Sequence, residues 1–350
     1  RVVRSVDLGT LESSMEILQG IISLSGETEC ALRYDTVFVP RLLGAPKAMV
    51  EAPGYGPWKL EVAEKGRLDQ FRAESVEHEA LARGHVRVDV RAAGMNFRDV
   101  LNVLGIVPVP WLGLELAGVV CEVGCEVRHL KVGDRVFGMG HATFATTTSA
   151  DARLLTTIPD NLNFYEAATI PLAFLSAWYA LHDLGKMKAR EKVLIHGAAG
   201  GVGMAAVQVA KHAGAEVFGT ASPSKWARLY PLGLEHSHLA SSRNLDFAKK
   251  FRGQSGAEGF DLVLNALTGE FVDQSLALLG EGGRFLEMGK TDIRSSAEID
   301  SNSPQVALYH ALDLIEAGND RIQAMLLEIR DLLRRGYLKP LPFSAYDLRD

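Results

Sequence analysis

The stretch Val193-Leu-Ile-His-Gly-Ala-Ala-Gly-Gly-Val-Gly203 places four glycines within seven residues, close behind three apolar ones. An apolar strand that breaks into such a run and resumes as Gly-Met-Ala-Ala-Val-Gln-Val-Ala-Lys-His reads as strand, tight turn and helix. Without a Cβ the backbone can turn sharply, bare its amide N–H groups toward an anion and let helix and strand approach closely. The helix N-terminus adds partial positive charge. A pyrophosphate suits this cradle, and Gly197, Gly200, Gly201, Val202 and Gly203 are the candidates to hold it.

Outward from the loop, strand-like and helix-like segments alternate from Ala167 onward: KVLIHGA, GMAAVQVAKHAG, EVFGTA, KWARLYPLGL, HLASS, FAKKFRGQ, DLVLNAL, FVDQSLALLG and RFLEMG. Repeated strand-helix-strand units imply a parallel sheet covered on both faces, with ligands at the carboxyl ends of its strands. Upstream, residues 46–166 carry short β-like runs, HVRVDVRAAG, LAGVVCEVG and GDRVFGMG, punctuated by glycine and proline. The expected fold class is α/β: a Rossmann-type doubly wound parallel sheet domain over 167–315, plus a compact, mostly β domain over 46–166. Residues 1–45 read as a connector with one helix-like stretch, Met15 to Leu24, and an alternating segment, YDTVFVPRLL. After about residue 305 the pattern reads as helical, VALYHALDLIEAG and then RIQAMLLEIRDLLRRGYL, before a β-like LPFSAYDL.

With 350 residues, 47% of them hydrophobic, the chain can bury two cores. The net charge of −6, from 37 basic and 43 acidic residues without a basic run, offers no grip on a phosphodiester backbone, so nucleic acid is not an expected partner. No apolar run reaches ~18 residues and no basic-then-apolar leader opens the chain, so no membrane span is expected. Three cysteines, Cys30, Cys121 and Cys125, make no disulfide framework. A reducing, cytoplasmic setting fits, with Cys121 and Cys125 expected as small core residues. A start at Arg1 is what a segment of a longer polypeptide would show.

The strand after the glycine loop selects the nucleotide. An acid at its end would accept hydrogen bonds from a ribose 2′-OH, but here it ends Phe218-Gly-Thr-Ala-Ser-Pro-Ser-Lys-Trp226. A 2′-phosphate would be attracted by Lys225, and Arg243 of LASSR is a second cation for it, so NADPH is expected. A catalytic zinc needs Cys, His or carboxylate ligands plus an open position. Cys121, Cys125, His78, His85, His129 and His141 show no ligand spacing, and Leu114 in GLELAG stands where a zinc dehydrogenase has histidine. No metal is expected.

The segments AAGMNFRDVLNVLG, GLELAGVV, VGDRVFGM, AATIPLAFLSAWYAL, VLIHGAAGGVGMAAVQVAKHAGAEVF, ASPSKW, LASSRNLDF, DLVLNAL and GGRFLEMGKTDIR together resemble the enoyl reductase domain of modular type I polyketide synthases. That family is a zinc-free branch of the medium-chain dehydrogenase/reductase superfamily, and the resemblance implies a GroES-like substrate domain over 46–166, to which residues 316–350 are expected to return while leaving it incomplete. It further implies that NADPH delivers hydride to the β-carbon of an α,β-unsaturated thioester on an acyl carrier protein. The first 40 or so residues resemble the connector after a neighbouring ketoreductase. Lys290 of FLEMGK and Asp313 of HALDLIEAG match the family's proton-delivery positions. The lysine would protonate the α-carbon or stabilise the enolate, and the aspartate would position that lysine or a water. Asn96 of MNFRD and Thr169 of ATIP would lie near the nicotinamide or thioester, with Asn265 of LNAL at the end of a sheet strand.

Two other readings share these features: a zinc-free quinone or small-enone oxidoreductase, and a non-catalytic NADPH-binding scaffold. One departure from the family concerns stereochemistry. Val107 in LGIVPVP stands where many members place a tyrosine that protonates the α-carbon from one face. For an α-methyl substrate the resemblance therefore implies the 2R outcome. Val107→Tyr is expected to shift the product's configuration, read by chiral analysis of the reduced thioester; an unchanged configuration would count against this account.

Overall fold

Val193, Leu194 and Ile195 have no solvent exposure, and the larger of two structural units is arranged around them. The computed structural model describes residues 50–77, 79–107, 109–256 and 258–349, with the backbone of three short strands before them. Most of the expected connector, including Met15 to Leu24, lies outside the described residues, as does His78. The units are Arg1–Met49 with Asp350, and Val50–Arg349. In the first, β1 (Ser5–Asp7) pairs parallel with β2 (Glu29–Arg33), which pairs antiparallel with β3 (Thr36–Phe38).

The second unit opens with a hairpin of β4 (Trp58–Val62) and β5 (Phe71–Ser75). An antiparallel sheet follows, built from β6 (His85–Gly94), β7 (Glu115–Val123), β8 (Arg135–Met139), β9 (Thr147–Asp151) and β10 (Leu155–Thr157) in the order β10-β8-β7-β6-β9. Val86, Val88, Leu116, Val120, Val136 and Leu155 build its core. Helix α1 (Phe97–Val103) leaves the end of β6. Cys121 and Cys125 are exposed, not core residues. The side chain of Cys121 follows buried Val120 on the pleated strand β7 and falls on the other face.

Two helices, α2 (Phe164–Ala167) and α3 (Pro171–Trp178), lead from that sheet to a parallel one. Its strands are β11 (Lys192–Ile195), β12 (Glu216–Ala221), β13 (Leu239–Ser241), β14 (Phe260–Asn265), β15 (Leu279–Glu287) and β16 (Val306–Ala311). The order is β13-β12-β11-β14-β15-β16, with all pairs parallel. Because β11 pairs with both β12 and β14, successive crossovers diverge at its carboxyl end and open the crevice in which doubly wound sheets bind ligands. Helices α4 (Gly201–His212), α5 (Asp246–Ser255), α6 (Glu270–Leu276) and α7 (Ser296–Asn302) serve these crossovers.

Two further sequence expectations are corrected. The run VALYHA is strand β16, not helix: Tyr309 stacks on Phe285 of β15 with ring centroids 5.4 Å apart. Sheet pairing overrides a helix-like spacing of apolar residues over so short a run. Similarly, LPFSAYDL joins no sheet among the described residues, and Pro340 and Pro342 each remove a backbone donor. Helix α8 (Asn319–Arg334) does form, and Arg330 in it reaches Thr156 and Thr157 of β10 at 3.2 and 3.3 Å. No helix among the described residues is long and apolar enough to cross a membrane.

Helix α4 buries Gly203, Met204, Ala205, Ala206, Val207, Val209 and Ala210, mostly small side chains that let it lie close on the sheet. At Gly203 a Cβ would stand 2.3 Å from the Gly197 carbonyl oxygen and 2.7 Å from the Ala198 Cα, both backbone atoms. Gly203→Ala is therefore expected to destabilise the fold by about 1–3 kcal/mol. Urea unfolding checks this, and a midpoint equal to that of the parent chain would contradict it.

Candidate active site

The glycine loop closes at the carboxyl end of β11. Gly197 takes φ +61°, a conformation that L side chains avoid, and its carbonyl accepts the Gly200 N–H at 2.8 Å. Helix α4 begins at Gly201, where a Cβ would meet only the Leu341 side chain, 4.0 Å away. The start of the helix is thus exposed and uncrowded, leaving room for a ligand beside its first turn. This geometry fits a dinucleotide pyrophosphate, for which Gly197, Gly200, Gly201, Val202 and Gly203 remain the candidate residues.

Directly before the loop, His196 is fully buried, with Nδ1 2.8 Å from Thr220 Oγ1 and Nε2 2.8 Å from Ser275 Oγ. Ser275 spends its single hydroxyl proton on the Phe271 carbonyl at 2.6 Å. It must therefore accept from His196 Nε2–H, leaving Nδ1 to accept from Thr220. The neutral imidazole ties β11, β12 and α6 together beneath the loop, and burial holds its pKa down to about 3.

At the end of β12, Arg243 Nε donates to Ser222 Oγ at 3.2 Å. Lys225 lies in the turn that starts there, its backbone N–H bonded to the Ser222 carbonyl at 2.8 Å. The two residues expected at a 2′-phosphate thus both contact Ser222, Arg243 by its guanidinium and Lys225 by its main chain, and both are exposed.

Lys290 and Asp313, 23 positions apart in sequence, meet at the carboxyl ends of β15 and β16. Lys290 Nζ donates to the Leu312 carbonyl at 2.6 Å and lies 3.8 Å from Asp313 Oδ2. Asp313 is not on a long helix; it caps a short 3-10 turn, Leu314–Ala317, by accepting the Ile315 N–H at 3.2 Å. Asn265, at the end of the adjacent β14, is buried and bonds to the Leu267 carbonyl at 2.8 Å and to Glu287 at 2.6 Å. Sequence reasoning missed Glu287, because an acid at a strand end normally reads as a solvated charge.

The remaining candidates stand on other segments. Asn96 Nδ2 donates to Glu115 at 2.7 Å, and the same carboxylate accepts the Leu172 N–H at 2.8 Å. Glu115 therefore caps α3, whose own N-cap, Ile170, supplies no side-chain acceptor. Burial pushes its carboxyl up to about 7. Val107 lies on a loop fastened from within by Asn102, whose side chain bonds to the Val109 N–H, the Trp111 carbonyl and Lys65 at 3.2, 2.7 and 2.8 Å. Thr169 donates to the Glu166 carbonyl and accepts the Leu341 N–H, so its hydroxyl holds an extended C-terminal segment.

The chain matches the family model for the alcohol dehydrogenase GroES-like domain over residues 82–160 and that for zinc-binding dehydrogenase over residues 201–317. It is 47% identical over 347 residues to the pikromycin polyketide synthase component PikAII of Streptomyces venezuelae, covering 93% of this chain but only 9% of that protein. The chain thus spans less than a tenth of that relative. The CurK enoyl reductase crystal structure superposes with a TM-score of 0.78 at 38% identity, covering 82% of this chain and 91% of that one. The CurF cyclopropanase from the curacin A biosynthetic pathway gives 0.76 at 32%, covering 83% and 92%.

Glu115 and His196 make opposed contributions to stability against pH. Between pH 4.5 and about 7 the folded chain holds a proton on Glu115 that the unfolded chain has released, so this group's stabilisation is lost as pH rises. Between pH 6.5 and about 3 the unfolded chain protonates His196 and the folded chain does not, so stability is lost as pH falls. The two slopes oppose each other from 4.5 to 6.5. Urea midpoints across that window are expected to rise with pH in Glu115→Gln and fall with pH in His196→Gln. Parallel profiles in parent and variants would refute the assignment.

Proposed function

Because the chain belongs to the enoyl reductases of modular type I polyketide synthases, in the medium-chain dehydrogenase/reductase superfamily, we propose that it reduces an α,β-unsaturated acyl thioester presented by an acyl carrier protein. The observation that carries this reading is the meeting of Lys290, Leu312 and Asp313 at the carboxyl ends of the sheet whose β11 carries the glycine loop. The family depends on a reduced nicotinamide dinucleotide, which when bound supplies the hydride added at the β-carbon. Lys225 and Arg243, together with the lack of an acid at the end of β12, favour NADPH.

The chain's own residues then have defined tasks. The loop from Gly197 to Gly203 and the first turn of α4 neutralise the pyrophosphate. As conjugation already makes the β-carbon electrophilic, the protein has to stabilise negative charge at the thioester oxygen and protonate the α-carbon. Lys290 can do both as an ammonium, oriented by the Leu312 carbonyl and held beside Asp313. Asn265 lines the same strand ends, and Asn96, fixed by Glu115, is a second amide for the thioester or nicotinamide. Val107 has no proton to offer, leaving delivery to Lys290, Asp313 or water. A carrier protein would present the substrate in a cytoplasmic synthase that also includes a ketoreductase.

The test is mass spectrometry of carrier-bound enoyl thioesters incubated with NADPH. The expected product carries two additional hydrogens, and Lys290→Met is expected to lower kcat by roughly 10²–10⁴-fold. Charge reversal at Arg243 is expected to raise the Kd for NADPH and leave that for NADH nearly unchanged. A marked preference for free quinones, or NADPH binding without any turnover of enoyl thioesters, would overturn the proposal.

A further inference from the structure

One buried charge has no task in the scheme above. Glu287 ends β15 with only 1% of its surface exposed. Burying a carboxylate is costly unless its lone pairs are met, and a leucine would end a core strand without that cost. Both carboxylate oxygens are met, and by particular partners. Oε1 accepts the Gly289 N–H at 2.5 Å, closing the turn that leads into Lys290. Oε2 accepts from Asn265 Nδ2 at 2.6 Å. The main chain adds a third link, since the Glu287 carbonyl accepts the Leu312 N–H at 2.7 Å. Leu312 in turn presents its carbonyl to Lys290 and precedes Asp313. One residue thereby touches the turn before Lys290, the side chain of Asn265 and the backbone just before Asp313.

The local sequence fits this arrangement. A Cβ at residue 289 would lie 2.7 Å from Glu287 Oε1, so glycine gives the carboxylate room to reach the turn. Neighbouring Asp292 serves a different contact, accepting the Gly269 N–H at 2.7 Å and pairing with Arg294 at 3.0 Å. Among the charged groups of this corner, Glu287 is the one joined to the Lys290 turn and to Asn265 together.

We propose that Glu287 is a positioning residue for the reaction: its carboxylate sets the Met288–Lys290 turn and the Asn265 carboxamide as one rigid unit, holding the Lys290 ammonium where the α-carbon is protonated. The inference rests on the reading of Lys290 as proton donor. Glutamine at 287 keeps the shape but has one acceptor oxygen for two donors, so either the turn or Asn265 loses its partner.

The test follows reduction of crotonyl-pantetheine by the purified chain with NADPH, in water and in deuterium oxide, for the parent, Glu287→Gln, Gly289→Ala and Lys290→Met. Glu287→Gln is expected to lower kcat by about 10–100-fold, with the Kd for NADPH and the thermal midpoint little changed. Its solvent isotope effect on kcat is expected to rise, because a misplaced donor makes proton transfer limiting. Gly289→Ala, which retains the carboxylate but crowds it, should give the same signature in weaker form. A merely structural role would lower the active fraction and leave the isotope effect alone, and that result would overturn the proposal. Full activity in Lys290→Met would sink the proton-donor reading and this inference with it. An inactive Lys290→Met beside a fully active Glu287→Gln would sink this inference alone.

Discussion

The architecture turns on a contact between backbones. Helix α4 can start where it does because nothing stands between Gly203 and the carbonyl of Gly197. That approach fixes the helix on β11, aims its free N–H groups at the crevice and brings Ala198 within reach of the Thr220 carbonyl at 2.9 Å. The flanking strands β12 and β14 inherit their register from β11. The strand ends carrying Ser222 and Asn265 are then placed by pairing alone. A parallel sheet thus converts one local constraint into the layout of a whole site.

Two carboxylates occupy interiors where burial works against them. Glu115 and Glu287 are each almost wholly shielded, and each makes a pair of hydrogen bonds joining segments distant in sequence. Glu115 links β7, the Asn96 side chain and the first turn of α3; Glu287 links β14 to the turn beyond β15. Hydrophobic residues would pack there with less strain on the energy balance, but they could not fix the orientation of an amide. Burial raises the carboxyl of Glu287, as it does that of Glu115.

How much of this was legible in the chain depended on whether the signal was local. The glycine loop and the alternation of strands and helices are short-range patterns, and the parallel sheet bears out the fold class read from them. The positions of Lys225 and Arg243 just beyond β12 and β13 could be read for the same reason, since each follows a strand. What failed required knowledge of neighbours. VALYHA reads as helical until Phe285 is placed beside Tyr309. Cys121 lies in an apolar run, but the pleat turns it outward. Glu115 and Glu287 look like surface charges in one dimension, and only the pairing of distant strands shows that each is enclosed. The cap of α3 comes from 57 residues upstream, where no helix-start signal would be sought.

The extended segment around Lys339 and Leu341 has a consequence for how the chain is made. Gln208 of α4 forms reciprocal hydrogen bonds with the backbone of Lys339, 131 residues downstream, and Leu338 and Leu341 complete the core on that side. At a typical ribosomal rate of about 5–20 residues per second, this partner trails the helix by roughly 7–26 seconds. During that interval α4 has left the ribosome with an apolar flank still wet. The nascent segment must therefore either wait unfinished or be sheltered by a chaperone until the clasp emerges, so the glycine loop reaches its finished shape only after Leu341 has been made, well behind its own glycines.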